Sequence, residues 1–365
     1  MTKRQLFISI QAEHGLACPS YKAPMIRTGE ESVFINRVGP MFSNRAKQDG
    51  VVTSVSDNNI VVTYKDGTVE GYELGMKYAS AAGLTVPHPI KTDLKAGAKL
   101  KANDVITYNS NYFVKDRYSG TLALKNSTIA TVVVYENDMT DEDACSISSR
   151  FSEQLTTKTT KIRDIVLDFS QSVANLVKVG TDVNATDYLC QIEDAFVADN
   201  ANFNREDMDT LRMLGSQVPM AKVKGRVEKI EIFYHGEIED MSEGLRKIVR
   251  EADRDLAKKL KELGKKPYTG QVDESFRIEG KPLSLDSLVI RIYINSDIGA
   301  GIGDKVVFGH QLKSVISRVV DKPLVAEDGT EIDVEFGRRA IAARIVNSPD
   351  MIGTSMVLLE VIAKK

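Results

Sequence analysis

Lys305 and Lys313 lie eight residues apart in the stretch GDKVVFGHQLKSVIS, residues 303–317, with His310 and two glycines among apolar residues. Lysine is costly to bury without a partner, so two of them in so apolar a stretch need a reason. Glycine lets backbone approach a phosphate closely, and lysine supplies it with a compact positive charge. On a loop between positions 294 and 315, Lys305 and Lys313 are placed to clamp one polyanion from two sides. The competing reading is that both reach water from a strand edge, their stems lying on apolar surface. A second group is acidic. Asp138, Asp141, Glu142 and Asp143 put four acids into six positions directly after the apolar run 132–134. Such a group repels itself unless cations or solvent offset it. Carboxylate oxygens are the ligands a hard cation such as Mg²⁺ prefers. The same acids precede 144–155, which reads as a short helix, and acids at a helix start suit its dipole. Residue types alone leave both readings open.

Other catalytic patterns are missing. The glycines at 299, 301 and 303 are not followed at once by an amphipathic helix, so they are no dinucleotide fingerprint. Residues 309–314 lack the Gly-Lys-Ser/Thr order of a P-loop. The four histidines have no zinc-hydrolase spacing, and there is no nucleophile elbow. The three cysteines are far apart and in no CxxC pair, which argues for a reducing compartment and against structural zinc. No apolar run reaches the roughly 18 residues of a membrane span, and the N-terminus lacks the apolar core of a signal peptide. The expected location is therefore cytosolic, with no membrane partner. Net charge is −3 over 365 residues, so any basic site must be a local patch.

The elements that must position these residues are mainly strands. Residues 51–55 and 60–64 flank a turn-prone Ser-Asp-Asn-Asn and predict a hairpin. Asp66-Gly67 supplies a second turn, since glycine takes positive φ cheaply. The β-branched run 129–135 predicts a buried strand. Lys95, Gly97, Leu100, Ala102, Asp104 and Ile106 recur at the same spacing as Lys178, Gly180, Val183, Ala185, Asp187 and Leu189. This predicts two turn-and-strand units of the kind that build small barrels, unless two hairpins merely share turn chemistry. One helix is clear over 242–263. Leu245, Ile248, Val249, Ala252, Leu256, Leu260 and Leu263 form one apolar stripe. Asp240 with Glu243 has capping-box spacing, and Gly264 is a natural stop. Glu243 with Lys247 and Asp255 with Lys259 are favourable helix pairs. With strands expected at 223–234 and 288–294, this helix is expected to project from a sheet, packed along one side.

GDKVVFGHQLKSVIS resembles the GDK-x-x-x-RHG-x-KG-x-[IV]-S signature of the β subunit of multisubunit, two-barrel DNA-directed RNA polymerases, with Lys305, His310 and Lys313 at the family spacing. VVVYENDMTDEDACSISSRF resembles the family's strand followed by Tyr-Asn-x-Glu-Asp-Ala and a short helix. PMIRTGEE at 24–31 and the hairpin over 50–62 are similar to stretches that precede these motifs in the family, in the same order. The resemblance covers only the later-middle part of a β subunit. It implies a split gene product of a kind typical of very large bacteriophages, acting in the cytoplasm of an infected bacterium or carried in the virion. Three stretches are implied: 1–155, a β-rich hybrid-binding part leading into the catalytic barrel; 156–287, a barrel segment with a reduced flap bearing helix 242–263; and 288–365, the barrel continuation. The implied fold class is mainly β with α insertions around a double-psi β-barrel core.

The resemblance also implies the chemistry. Lys305, Lys313 and His310 would face the RNA 3′ end and the incoming nucleotide. Glu142 and Asp143 would help position a second Mg²⁺ through water. The main Mg²⁺ ligands would come from a β′-like chain carrying an Asp triad. Other partners would be chains supplying the rest of β, a promoter-specificity factor, DNA template, RNA and NTPs. The sequence departs from the pattern at three places: Gly309 stands where the family has arginine, and Gln311 and Ser314 stand where it has glycine. The family's later Pro-Ser-Arg-Met arginine has no counterpart in 347–356, which leaves Arg338, Arg339 and Arg344 as alternatives. The competing function is a non-catalytic β-barrel scaffold or nucleic-acid-binding module that kept the fold and lost the chemistry.

Overall fold

A computed structural model describes residues 3–10, 17–23, 25–81, 84–116, 119–125, 127–193, 217–309, 312–344 and 348–364. The architecture is mainly β with few helices, and Lys305 and Lys313 lie on strands of a closed six-stranded barrel. We number its strands in chain order: β1 (Lys3–Ile10), β2 (Thr128–Val134), β3 (Ala144–Ser148), β4 (Lys305–Phe308), β5 (Leu312–Val320) and β6 (Val334–Phe336). Around the ring the order is β1, β2, β6, β3, β5, β4 and back to β1. The β2–β6 and β3–β5 contacts are parallel; the other four are antiparallel. The predicted strand at 129–135 is β2. The predicted helix over 144–155 is corrected: its first five residues are β3, whose Cys145, Ser146 and Ile147 are buried between β6 and β5, and the helix begins only at Ser149. Ser148 caps that helix by accepting the Phe151 N–H at 3.1 Å.

Alternation explains the ring. Val306 and Phe308 on β4, and Leu312 and Ile316 on β5, point into the barrel, where they meet Ala130, Val132, Ile147 and Val334. Phe308 and Phe336 pack as a tilted pair with ring centres 4.5 Å apart. The three cysteines are free and buried, and burial pushes the Cys145 thiol up to about 11, so it is an inert part of this core.

Between β3 and β4 the chain leaves the barrel and contributes four of the eight strands of a large sheet, the other four coming from before β2. In that sheet the order is Asp182–Val183, Gly225–His235, Ser287–Ile298, Thr157–Asp168, Leu84–Lys91, Val105–Asn109 and Ser43–Arg45, with Gly75–Ala81 also on Leu84–Lys91. The residues 288–365 thus divide: Ser287–Ile298 belongs to this sheet, and the barrel resumes at Lys305. A smaller sheet holds the predicted hairpin as Gly50–Val55 on Asn59–Tyr64.

The near-repeat folds into two copies of one unit. The Gly97 N–H donates to the Val52 carbonyl at 2.8 Å, and the Val52 N–H returns a bond to Ala98 at 2.9 Å. The Gly180 N–H donates to Val227 at 2.7 Å, and Val227 returns a bond to Thr181 at 2.9 Å. Each copy has a bulge just after its valine. The partner strands also repeat, as Ala46-Lys47-x-x-Gly50-x-Val52 and Ala221-Lys222-x-x-Gly225-x-Val227, a signal visible in the sequence once the structure shows where to look. In the first copy this strand precedes the turn unit; in the second it follows it. That inversion hid the second half of the repeat.

Helix Glu243–Glu262 matches the sequence expectation in place but not in setting. The expected capping box at Asp240 is replaced by Ser242, whose hydroxyl accepts the Leu245 N–H at 3.3 Å and donates to the Gln171 carbonyl at 2.6 Å. Asp240 instead ends a preceding turn. The helix does not project. Leu245 and Val249 pack into the large sheet's core, and at its far end Glu262 accepts from Asn59 at 3.2 Å while Lys265 reaches Glu73 at 3.1 Å. It spans from one sheet to the other. Among the described residues neither expected helix pair, Glu243 with Lys247 nor Asp255 with Lys259, closes as an ion pair. No described helix is long and apolar enough to cross a membrane.

Two predictions follow from these contacts. A Cβ on Gly225 would lie 2.2 Å from the Asn295 carbonyl oxygen, whereas one on Gly39 meets nothing within 4 Å. Gly225→Ala should cost about 2–3 kcal/mol, and Gly39→Ala less than about 0.5 kcal/mol, read from urea midpoints. Arg27 donates to Asp116 at 2.8 Å, fastening the segment before Glu30–Val33 to the Phe113–Lys115 strand. Burial opposes ionisation of Asp116, but hydrogen bonds from Arg27 and Ser119 outweigh it and lower its pKa from 3.8 to about 2. Because the folded value lies below the unfolded one, this contribution is present above pH 3.8 and fades as pH falls towards about 2. Asp116→Asn should flatten that part of the stability–pH curve.

Candidate nucleotide-facing rim

The β4–β5 hairpin answers why two lysines occupy an apolar stretch. Its inward positions carry Val306, Phe308, Leu312 and Ile316, and Lys305 and Lys313 take outward positions beside Val307 and Val315, both lysines exposed. They stand on strands rather than on the expected loop. Lys305 pairs with Val315 and Val307 with Lys313, so the two lysines are diagonal neighbours on one face. In an antiparallel ladder that diagonal is about 7–8 Å between backbones. Among the described residues neither lysine has an ion-pair partner. The adjacent Asp304 is occupied elsewhere, accepting the Gly301 N–H at 2.8 Å to close the turn before β4. Among the described residues the buried lysine is another one, Lys125, whose ammonium donates to the Pro19 carbonyl at 3.4 Å. Burial lowers its pKa, and the nearby charge of Lys91 adds to that. His310 and Gln311 lie outside the described residues.

The acid loop meets this hairpin directly. Ser314 Oγ donates to the Asp143 carbonyl at 2.6 Å, and the Val315 N–H donates to the same oxygen at 3.0 Å. Asp143 is half-buried; Glu142 is exposed and holds positive φ at 52°. The loop is shaped from within by Asn137, whose side chain accepts the Met139 N–H at 2.8 Å, and by buried Thr140, which donates to the Tyr135 carbonyl at 2.8 Å. The acids therefore precede a strand, and the helix-dipole reading of them fails. Ser314, where the resembled signature has glycine, supplies the hydroxyl of this join. Gly309 has φ 54°, a conformation that favours glycine over the signature's arginine.

Of the three alternative arginines, Arg339 has described contacts with the loop. Its guanidinium donates to Asp141 at 2.9 Å, and its backbone N–H donates to Glu136 at 3.2 Å. Sequence spacing carried no signal for this, because 198 residues separate Arg339 from Asp141. Close by, Arg318 lies 3.7 Å from buried Glu335, which also accepts from Asn137 at 3.0 Å. Among the described residues no three Asp, Glu, His or Cys side chains converge as a metal cage. Glu142 and Asp143 offer one or two carboxylates, a number with which Mg²⁺ is compatible when waters or another chain complete its shell.

With this geometry in view, comparison with known proteins is specific. The chain is 24% identical over 336 residues to the DNA-directed RNA polymerase subunit beta of Syntrophomonas wolfei, covering 89% of this chain and 28% of that one. It is 26% identical over 336 residues to the same subunit of Bifidobacterium longum strain NCC 2705, covering 88% and 26%. It is 24% identical over 343 residues to that of Caldicellulosiruptor bescii, covering 89% and 25%. The chain is similar to a segment of the RNA polymerase β subunit. It spans about a quarter of the length of these relatives. No protein-family model matches it. The similarity covers both the acid loop and the lysine hairpin, which supports reading the chain as a β-subunit fragment.

The join between loop and hairpin is testable. A Cβ on Gly337 would sit 2.0 Å from the Thr140 carbonyl oxygen. Gly337→Ala and Ser314→Ala should each loosen residues 137–144, seen as amide exchange there faster by about tenfold or more. The core amides of Ser287–Ile298 should keep their protection.

Proposed function

We propose that this chain contributes the β-side rim of the active centre of a DNA-directed RNA polymerase. The observation that carries the reading is the double hydrogen bond to the Asp143 carbonyl, which unites the acid pair with the strand that begins at Leu312 and Lys313. Lys305 and Lys313, exposed on one face and free of described ion pairs, bind phosphates of the RNA 3′ end and the incoming nucleotide. His310 is assigned to the same rim from its spacing. The barrel is of the double-psi type in this reading; its two parallel contacts within a six-strand ring support that.

Phosphoryl transfer depends mainly on positioning and on charge stabilisation, so two cations on a stiff hairpin suit it. Glu142 and Asp143 would hold, through water, a Mg²⁺ that neutralises nucleotide phosphate charge. The main metal ligands come from a β′-like partner carrying an Asp triad, and further chains supply the rest of β. A divergent, phage-encoded enzyme with its own promoter-specificity factor is the expected setting.

Lys305→Ala and Lys313→Ala should each slow nucleotide addition by the assembled enzyme by about 10²–10³, corresponding to about 2–4 kcal/mol of transition-state stabilisation, with assembly intact. Normal elongation by both variants would leave the scaffold reading in possession. Replacing Glu142 and Asp143 together by Gln and Asn should raise the Mg²⁺ concentration needed for half-maximal addition. An unchanged Mg²⁺ titration would remove the acids from the metal's surroundings. Mass spectrometry of chains co-purifying from the source should identify a β′-like chain carrying the Asp triad.

A further inference from the structure

We infer that the solvent face of helix Glu243–Glu262 is a docking stripe for a nucleic-acid phosphodiester backbone, separate from the Lys305–Lys313 rim. At about 100° per residue, Arg246, Lys247, Arg250, Arg254, Lys258 and Lys261 fall in one band. That band lies opposite buried Leu245, Val249 and Leu260. Five of the six are exposed, and Arg246 is half-buried. Glu243 stands within the band at its N-terminal end and Glu251, Asp255 and Glu262 lie along one flank, so the row from Arg246 to Lys258 carries a net positive charge.

These cations are also short of partners. Elsewhere Lys65 pairs with Asp49 at 2.6 Å, Arg291 with Asp164 at 2.7 Å and Arg339 with Asp141 at 2.9 Å. Along the stripe the one ion pair among the described residues is a long contact, Arg250 to Glu239 at 3.9 Å, with both groups well exposed. Arg246 is held by the Glu239 and Met241 carbonyls at 2.8 and 2.9 Å, which anchors the band's first cation.

Geometry and chemistry select the occupant. From Arg246 to Lys258 the cations step every four residues and cover about 18 Å. Duplex DNA presents about ten phosphates over that length. The band contains no apolar anchor of the kind that forms the core of a protein–protein interface. Phosphate contact requires only charge and donors. Beside the band, the Gly270 N–H donates to Asp253 at 2.7 Å, and Asp253 also accepts from Tyr234 at 3.0 Å. This ties residues 267–270 to the helix flank, with Tyr268 at 60% exposure. An exposed aromatic next to a cation row can stack on an unpaired base. The chain's net charge of −3 provides no general attraction, so affinity must come from a local surface. The inference rests on the polymerase reading only for which nucleic acid is bound.

The test is fluorescence anisotropy of the full 365-residue chain with a duplex DNA and a single-stranded RNA, across a NaCl series. Arg250→Gln, Arg254→Gln and Lys258→Gln together should reduce the slope of log affinity against log salt by about three. Its thermal melting curve should be unchanged, which excludes misfolding. A drop in RNA binding on Tyr268→Ala assigns the stripe to single strands; an effect of the triple variant on duplex alone assigns it to duplex. The Lys305→Ala, Lys313→Ala double variant should retain the stripe's part of the slope, so failure of the active-centre reading is separately visible. Wild-type salt dependence in the triple variant overturns the inference. So does displacement of both nucleic acids by a poly-glutamate peptide at equal charge, which would assign the stripe to an acidic protein.

Discussion

The carbonyl oxygen of Asp143 takes two hydrogen bonds from the β5 residues just after Lys313, and 171 positions separate Asp143 from Ser314. Here β3 and β5 run parallel, and parallel neighbours cannot be joined by a hairpin. The intervening chain must leave the barrel and return to it in register. It does so by pairing its own ends: Thr157–Asp168 leaves as Ser287–Ile298 comes back, twelve residues against twelve, with Thr157 opposite Ile298. A large excursion is thereby closed at its neck. Its contents can vary without moving the lysines relative to the acids, provided the neck holds.

The same economy governs charge. Each strand of the β4–β5 hairpin separates its residues by parity, so an apolar core and a cationic face arise from one alternating stretch. Lysine there costs nothing in desolvation, and its charge remains available to a ligand. Lys125 is the contrary case: it is buried on a backbone carbonyl, with burial lowering its pKa. Arg339 is a third arrangement, an exposed cation used to hold two acids of the loop in place. Surface ion pairs of this kind contribute little stability, so its role is better understood as geometry than as energy.

The paired units around Val52 and Val227 show a similar reuse. Two stretches bind their turns through the same reciprocal bonds and need glycine at the same place. A Cβ on Gly50 would meet the Thr63 carbonyl oxygen at 2.7 Å, as one on Gly225 would meet that of Asn295. One unit sits in the small sheet and one in the large sheet. Helix Glu243–Glu262 connects the two sheets, which leaves its basic face, not its apolar one, open to solvent.

Much of this was legible in the residues. A β-branched run marked β2, turn-prone residues marked the hairpin over 51–64, period 3.6 marked the long helix, and the two lysines and the acid cluster stood out by type and spacing. Local patterns report which face is buried, because burial is decided residue by residue along one element. They misread 144–155 because acids before an apolar run suit a helix start as well as a loop, and only parallel pairing with β5 makes Ala144–Ser148 a strand. They could not find Ser314 on Asp143, Arg339 on Asp141, or the inverted order of the twin units. Those depend on contacts between residues far apart in the chain, and such contacts exist only once the barrel has closed and the excursion has returned to its neck.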